Sequence, residues 1–111
     1  MGNKHILPNL NKPSRVIWKF PLQITKEQSL EVPRPFKFLA IQWQGDQLML
    51  WAEIDTPAPG QFDSKPSKLP YKIRMYGTGH EIEDWPLVVQ YLATVQQGPY
   101  VWHFYEDDRH E

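Results

Sequence analysis

The chain has 111 residues, a mass of 13.1 kDa, no cysteine and a formal net charge of −1. This length fits a single domain, and the lack of cysteine excludes a disulfide framework and a thiolate zinc site. A charge near zero argues against a dedicated duplex DNA binder, and no apolar run reaches the roughly 18 residues that a membrane span requires. We therefore expect a soluble protein of one domain.

The folded domain is expected to span residues 15–106. Residues 1–14 contain two prolines and three asparagines without apolar periodicity, which predicts a flexible leader. Residues 107–111 are mostly charged and predict a solvated acidic tail. Within the domain, residues 56–70 hold four prolines and are expected to form a long loop without a core face of its own.

Two short strands are predicted at the start of the domain. Val16, Trp18 and Phe20 alternate with their neighbours in the period of two that is typical of a strand. Pro21 either ends this strand or places it at the edge of a sheet, because proline has no N–H to donate to a second neighbour. Residues 28–32 predict the next strand, which a proline-rich corner closes.

The clearest structural signal is a hairpin with a two-residue turn at Gly45-Asp46. Residues 36–44 and 47–55 form its arms, because each alternates apolar and polar positions around a pair of turn-forming residues. The second arm has two faces, with Leu48, Leu50, Ala52 and Ile54 on one and Met49, Trp51 and Glu53 on the other. Because both faces carry apolar side chains, we predict a strand that is covered on both sides or that offers an aromatic patch to a partner.

The second half of the domain predicts three more strands. Residues 71–76 form one, which ends at the glycine-rich turn at 77–79, and residues 84–86 indicate a short helix or a turn. Residues 91–96 and 100–105 predict a second hairpin. Together the elements predict a mainly β fold of about six or seven strands, as a small antiparallel sheet, a sandwich or an open barrel, with room for one short helix.

Four segments of the chain share their order and spacing with one protein family. They are VIWKFPL at 16–22, WAEID at 51–55, YGTGH at 76–80 and VWHF at 101–104. In these segments the chain resembles a family of small proteins of unknown function that is common in bacteriophage and prophage genomes. The resemblance implies a compact fold, a phage origin and a place in the cytoplasm of a bacterial host, but it implies no catalytic residues.

The glycine-rich turn is the most distinctive segment. Gly77 and Gly79 can adopt positive φ and expose successive backbone N–H groups, as in an anion-binding nest, and Thr78 and His80 can add hydrogen bonds. The acidic residues at 81–84 would repel a phosphate, and no nucleotide-binding fingerprint is present. We interpret the segment first as a structural turn, with positive φ at one of the glycines, and second as a site for a small phosphate-bearing ligand.

Neither a metal site nor an active site follows from the remaining polar residues. The residues that could supply metal ligands have the spacing of no established motif: His80, Glu83, Asp84 and His103. His103 lies between aromatic residues and is expected to be a hydrogen-bonded structural histidine. Thr78 next to His80 is the only nucleophile and base pair close in sequence, and no third residue orients it. We predict no catalytic residue, no metal and no cofactor.

The aromatic residues favour an interaction surface. Five Trp and five Tyr exceed what a core of this size needs, and both types are enriched at protein interfaces. We expect one or two of the five Trp to be exposed. The candidate contact residues are Trp51, Arg74, Tyr76, Gly77, Thr78, Gly79 and His80.

The preferred hypothesis is a non-enzymatic module that binds and inhibits a host protein, such as a defence factor. A protein that sequesters a phosphate-bearing ligand is the first alternative. A binder of single-stranded nucleic acid is the second, in which aromatic rings would stack on bases beside Arg15, Lys19, Lys72 and Arg74. No membrane partner is expected, and the oligomeric state stays open, a homodimer included.

Overall fold

The structure is a computed structural model that describes residues 14–56, 67–83, 85 and 88–107. These residues form seven β-strands. β1 spans Ser14–Leu22, β2 Glu27–Arg34, β3 Phe36–Gln44, β4 Gln47–Thr56, β5 Ser67–Gly77, β6 Val88–Gln97 and β7 Tyr100–Asp107. The described ranges contain no helix, and so none that is long and apolar enough to cross a membrane. The predicted mainly β fold is confirmed.

The strands form two antiparallel sheets that pack against each other. Sheet A has the order β1-β4-β3, and sheet B has the order β2-β5-β7-β6. One apolar cluster lies between the sheets and draws side chains from both, with Leu50, Val32 and Phe104 completely buried. Of the three architectures that the sequence allows, the structure is therefore the sandwich.

β4 is the central strand of sheet A, and its side chains divide between two faces as the alternation predicts. The inner side chains are almost fully buried: Leu48, Leu50, Ala52 and Ile54. The outer side chains Met49, Trp51 and Glu53 are half-buried. Because burial of each large aliphatic side chain contributes about 1.5–3 kcal/mol, the inner face of β4 is a main source of stability.

The predicted hairpin joins β3 to β4 through Gly45 and Asp46, with Gln44 paired to Gln47. Gly45 has a φ of 63°, which glycine adopts without steric cost. The pairing shifts register between Phe38 and Ala40, so Leu39 is an extra residue in β3. The sequence alternation does not reveal this bulge.

The other predicted strands are also present. β1 is an edge strand that contains Pro21 near its end, and β6 and β7 form the second hairpin. The chain leaves sheet B and enters sheet A between β2 and β3, at the cis peptide bond before Pro35.

Two strands extend into segments that the sequence predicts as irregular. β5 begins at Ser67, inside the expected loop 56–70, because its first four residues continue the antiparallel ladder with β2. β7 ends at Asp107, the first residue of the expected tail, because the buried carboxylate accepts a hydrogen bond from Arg74. The rest of the expected leader, loop and tail lies outside the described residues: 1–13, 57–66 and 108–111.

The expected short helix or turn at 84–86 is described only at Trp85. The Trp85 N–H donates to the carbonyl oxygen of Ile82 over 3.2 Å, which closes a turn. Asp84 and Pro86 lie outside the described residues, so a helix there stays a prediction.

Candidate functional site

The seven candidate residues lie on opposite sides of the sandwich. Trp51 belongs to the outer face of sheet A, between the inward-facing Leu50 and Ala52. Arg74 and Tyr76 belong to the outer face of sheet B, and the turn at 77–80 follows them at the end of β5. The structure therefore brings six of the seven residues together and leaves Trp51 apart.

Arg74 is held by two carboxylates and links three strands of sheet B. Its Nε donates to Asp107 over 2.9 Å, and its Nη2 lies 2.8 Å from a carboxylate oxygen of Glu27. Arg74 and Asp107 are both buried. Because buried, charge-assisted hydrogen bonds are strong, this arginine is first of all a cross-link between β2, β5 and β7.

The turn requires glycine at positions 77 and 79 for two different structural reasons. Gly79 has a φ of 87°, which confirms the prediction that one of the pair adopts positive φ. At Gly77 a Cβ would stand 3.0 Å from the ring of His80 and 3.2 Å from that of Trp102. Gly77 therefore lets the histidine ring pack closely against the backbone.

Two backbone N–H groups of the turn have partners within the protein. The N–H of Thr78 donates to the carbonyl oxygen of Val101 over 3.2 Å, and that of His80 donates to Gly77 over 3.0 Å. A nest for an anion requires successive N–H groups that point at the ligand. The N–H of Thr78 is therefore bonded to β7 and that of His80 to the turn itself, so neither points at a ligand.

A cavity of about 230 Å³ lies beside the turn, and its rim is acidic. Glu81 and Glu83 line it together with Lys26, His80 and Trp102. Lys26 forms an ion pair with Glu83, so the cation of this cavity is already compensated. This charge arrangement does not favour a phosphate.

Thr78 belongs to a chain of hydrogen bonds that runs across sheet B. Its Oγ1 lies 2.7 Å from Nε2 of His103, whose Nδ1 lies 3.0 Å from Oγ1 of Thr94. The same Thr94 oxygen lies 2.5 Å from the hydroxyl of Tyr91. The expected structural role of His103 agrees with these bonds, since both of its ring nitrogens have partners. In the sequence His80 is the histidine close to Thr78, whereas in the structure the Thr78 hydroxyl is hydrogen-bonded to His103.

Three tyrosine rings lie next to this chain and touch edge to face. The centroids of Tyr76 and Tyr105 are 5.9 Å apart with an interplanar angle of 73°, and those of Tyr91 and Tyr105 are 5.6 Å apart at 70°. Tyr76 is buried, whereas Tyr91 is 53% exposed. Tyr91 is thus a projecting ring that Tyr105 and Thr94 hold in place. We call these rings and their hydrogen-bonding neighbours the tyrosine face: Tyr76, Thr78, Tyr91, Thr94, His103 and Tyr105.

Four members of the tyrosine face are not among the site residues that the sequence predicts: Tyr91, Thr94, His103 and Tyr105. Their signal is the cross-strand register, in which Tyr91 lies opposite Tyr105 and Thr94 opposite His103. This register depends on how the strands pair, and the period of the sequence does not contain it.

A second cavity, of about 380 Å³, is lined by residues of both sheets. The guanidinium of Arg34 lies over the rings of Phe36 and Tyr71, at 5.0 and 5.6 Å from their centroids. The Tyr71 hydroxyl donates to Glu106 over 3.3 Å. Burial raises the pKa of Tyr71 above its usual value, and the negative charge of Glu106 raises it further. Tyr71 is therefore a neutral hydrogen-bond donor at physiological pH.

None of these arrangements is a metal centre. Among the residues that the structure describes, no group of three or more His, Asp and Glu side chains is placed to hold an ion. Asp84, one of the four residues considered as ligands, lies outside them.

The fold and the tyrosine face define a small antiparallel β-sandwich with an outer surface of packed tyrosine rings. One family model matches residues 13–111 of this sequence. The chain therefore belongs to the DUF7352 family, a domain of unknown function. No curated protein and no solved structure matches it. Membership in a family of unknown function agrees with the predicted resemblance, while the phage origin stays a prediction.

Proposed function

We propose that this chain is a non-enzymatic interaction module that binds a protein through the tyrosine face. The observation that supports this most is the exposed ring of Tyr91, which stands at the end of a row of three packed tyrosines. Aromatic side chains of this kind carry a large share of binding energy at protein interfaces.

Rigidity is the reason to prefer this face over other exposed aromatic positions. Tyr91 contacts Tyr105 through its ring and Thr94 through its hydroxyl, so its rotamer is already restricted before binding. Ordering a free side chain at an interface costs roughly 0.5–1.5 kcal/mol, and a preorganised ring avoids most of that cost. The tyrosine face therefore resembles the fixed aromatic anchors of protein-binding surfaces.

The positions of the basic residues favour a protein partner over single-stranded nucleic acid. Arg15 and Lys19 lie on the outer face of sheet A, while Lys72 and Arg74 lie on that of sheet B. Binding of a single strand needs cations along one groove beside the stacking rings. Here the cations are divided between opposite sides of the molecule, and Arg74 is bound to two carboxylates.

The resemblance to phage and prophage proteins supports the choice of partner. A small phage protein without catalytic residues acts on its host by binding, so we propose a host protein as the target, in the host cytoplasm, with inhibition of a factor such as a defence protein as the outcome. The membership in a family of unknown function is compatible with this role and does not specify it.

The test compares capture of host proteins by the wild-type chain and by Tyr91→Ala. We expect one host protein to bind the wild type stoichiometrically. Tyr91→Ala should bind the same protein with an affinity at least ten-fold lower. Tyr100→Ala is the matched control, because Tyr100 is similarly exposed but lies outside the tyrosine face. A partner that binds Tyr91→Ala and wild type equally would contradict the proposed surface.

A further inference from the structure

Within the part of the chain that the structure describes, sheet A has an open edge at β1. Among the described residues, β4 is the only strand that pairs with β1, so its other edge carries no neighbour. Two large apolar side chains lie at the centre of this strand, with Ile17 60% and Trp18 50% exposed on opposite faces. A long edge strand with exposed apolar side chains is a template for pairing with another strand.

The other sheet edges are better protected than β1. The edge at β3 lies against β6, and the indole N–H of Trp43 donates to the carbonyl oxygen of Gln96 over 2.9 Å. β2 is also an edge strand, but neither of its large apolar side chains, Leu30 and Val32, is exposed, whereas β1 exposes Ile17 and Trp18. Strand addition is therefore most favourable at β1.

The hairpin geometry determines which backbone groups of β1 point to the open edge. In a two-residue hairpin the closing pair, here Gln44 and Gln47, is hydrogen-bonded, so Leu48 and Leu50 direct their backbone groups towards β1. Their partners in β1 are Leu22 and Phe20. The even-numbered residues of β1 therefore bond to β4, and the odd-numbered residues point outward.

Pro21 agrees with this orientation. It is an odd-numbered position, so its missing N–H falls on the open edge and removes no bond to β4. Arg15, Ile17 and Lys19 share this parity, and each presents an N–H and a carbonyl oxygen to an added strand.

Length and charge together favour one register for a second copy of the same strand: pairing centred on Trp18, the middle of the nine residues of Ser14–Leu22, brings all nine into the ladder. Antiparallel pairing centred on Ile17 would place Arg15 opposite Lys19 of the other copy, and pairing centred on Lys19 would place two lysines together. Like charges directly opposite each other are destabilising. Pairing centred on Trp18 places the two indoles opposite each other and sets Ile17 against the alkyl stem of Lys19, with no like charges opposed.

We propose that two copies of this chain form a dimer by antiparallel pairing of their β1 strands about Trp18, which makes a continuous six-stranded sheet. The dimer joins odd-numbered backbone groups by hydrogen bonds and buries the two exposed indoles. The dimer interface does not include the tyrosine face, so a failed test of the dimer would not contradict the proposed function.

The test measures the mass of the full chain in solution across a range of concentrations. We expect the wild type to have twice the 13.1 kDa of the chain. Trp18→Lys and Trp18→Glu place like charges next to each other on the two-fold axis. The dissociation constant of the dimer should therefore rise at least ten-fold for each variant alone. An equimolar mixture of the two variants should recover the dimer, because opposite charges then meet. Trp85→Lys is the control, since Trp85 is also an exposed tryptophan but does not belong to β1.

Three outcomes would overturn the proposal. A wild type that stays monomeric would show that no second copy covers β1, and a Trp18→Lys chain that stays dimeric would place the interface elsewhere. A mixture that stays monomeric while both variants melt like the wild type would exclude pairing about Trp18. Amide exchange gives a check without mutation: the Ile17 and Lys19 amides should be protected in the dimer and lose protection on dilution, whereas protection in a monomer would contradict pairing between copies.

Discussion

Each sheet of the sandwich carries an arginine with two carboxylates, and the two clusters differ in burial. On sheet A, Arg15 lies 2.8 Å from Asp55 and 3.5 Å from Glu53, with 67% of its side chain exposed. On sheet B, Arg74 lies 2.9 Å from Asp107 and 2.8 Å from Glu27, but its side chain is 10% exposed and that of Asp107 is 4% exposed.

The difference shows that the same residue types have different energetic weight in the two sheets. Exposed ion pairs contribute at most about 1 kcal/mol because water screens them and the side chains lose entropy. A buried charge that loses its partner costs several kcal/mol because water cannot replace the missing bond. Sheet B therefore holds the polar interactions that matter most for folding, and it also carries the tyrosine face.

The largest effect is expected from breaking the buried pair. Asp107→Asn keeps the shape of the side chain but removes the charge that faces Arg74, so the free energy of unfolding should fall by about 3 kcal/mol. Urea unfolding monitored by tryptophan fluorescence measures this change. A loss below about 1 kcal/mol, which is the range of exposed pairs, would show that the two clusters are equivalent after all.

The glycine turn next to the tyrosine face should be the second most sensitive position. Gly79→Ala forces a Cβ into a left-handed conformation and should lower stability by about 1–2 kcal/mol. Gly77→Ala should also lower the melting temperature, because the new Cβ would crowd the ring of His80.

Gly79→Asn is the matched control for this turn, since asparagine tolerates the left-handed region better than alanine and should lose less stability. If Gly79→Ala melts like the wild type but no longer binds a partner or inorganic phosphate, the turn is a binding element and the structural interpretation is wrong.

Tyr71 should add a pH-dependent contribution to the free energy of unfolding. Its pKa is raised above the unfolded value of about 10, so its contribution is complete below pH 10 and is lost as the pH rises above it, when the unfolded chain releases the proton. Tyr71→Phe removes the bond to Glu106 and should cost about 1 kcal/mol at pH 7.

Between pH 9.5 and pH 11 the free energy of unfolding should therefore fall less for Tyr71→Phe than for the wild type. Urea unfolding at each pH measures this difference. For a group that stays protonated in the folded state, each pH unit above the unfolded pKa lowers the free energy of unfolding by about 1.4 kcal/mol. Parallel curves for the two proteins would contradict the assignment of a raised pKa to Tyr71.

The smallest effect is expected at the exposed cluster of sheet A. Arg15→Gln should lower the free energy of unfolding by less than about 1 kcal/mol, and 1 M salt should remove most of this difference. The loss from Asp107→Asn should persist at the same salt concentration. A salt-resistant loss at Arg15 would mean that its pairs are shielded from water.

Several features of the fold could be predicted because they depend on neighbours in the chain. The turn at Gly45-Asp46 and the two faces of β4 follow from turn chemistry and from the period of two. Two of the five Trp, Trp18 and Trp85, are exposed, in line with the expected number. The start of β5 was harder to predict. The four prolines between 56 and 70 are typical of a loop, whereas the strand forms there because it pairs with β2, which is distant in sequence.

The tyrosine face could not be predicted because a bulge in β6 changes the period. Tyr91 and Thr94 are three residues apart, so strict alternation places them on opposite faces of a strand. The register shift between Tyr91 and Ala93 inserts one residue and turns both side chains to the outer face. Only then do the Tyr91 hydroxyl and the ring of His103 meet the same threonine.

The sequence by itself determined the fold class, the main hairpin and the inner face of β4, since each of these depends on local periodicity and on turn residues. Tertiary structure alone decided which charges are buried and which strands are neighbours. Arg15 and Arg74 look alike in the sequence, and only the burial of Arg74 between β2 and β7 makes it a strong cross-link. The partner of Thr78 was decided in the same way, because the strand order β5-β7-β6 brings His103 beside it from 25 residues away.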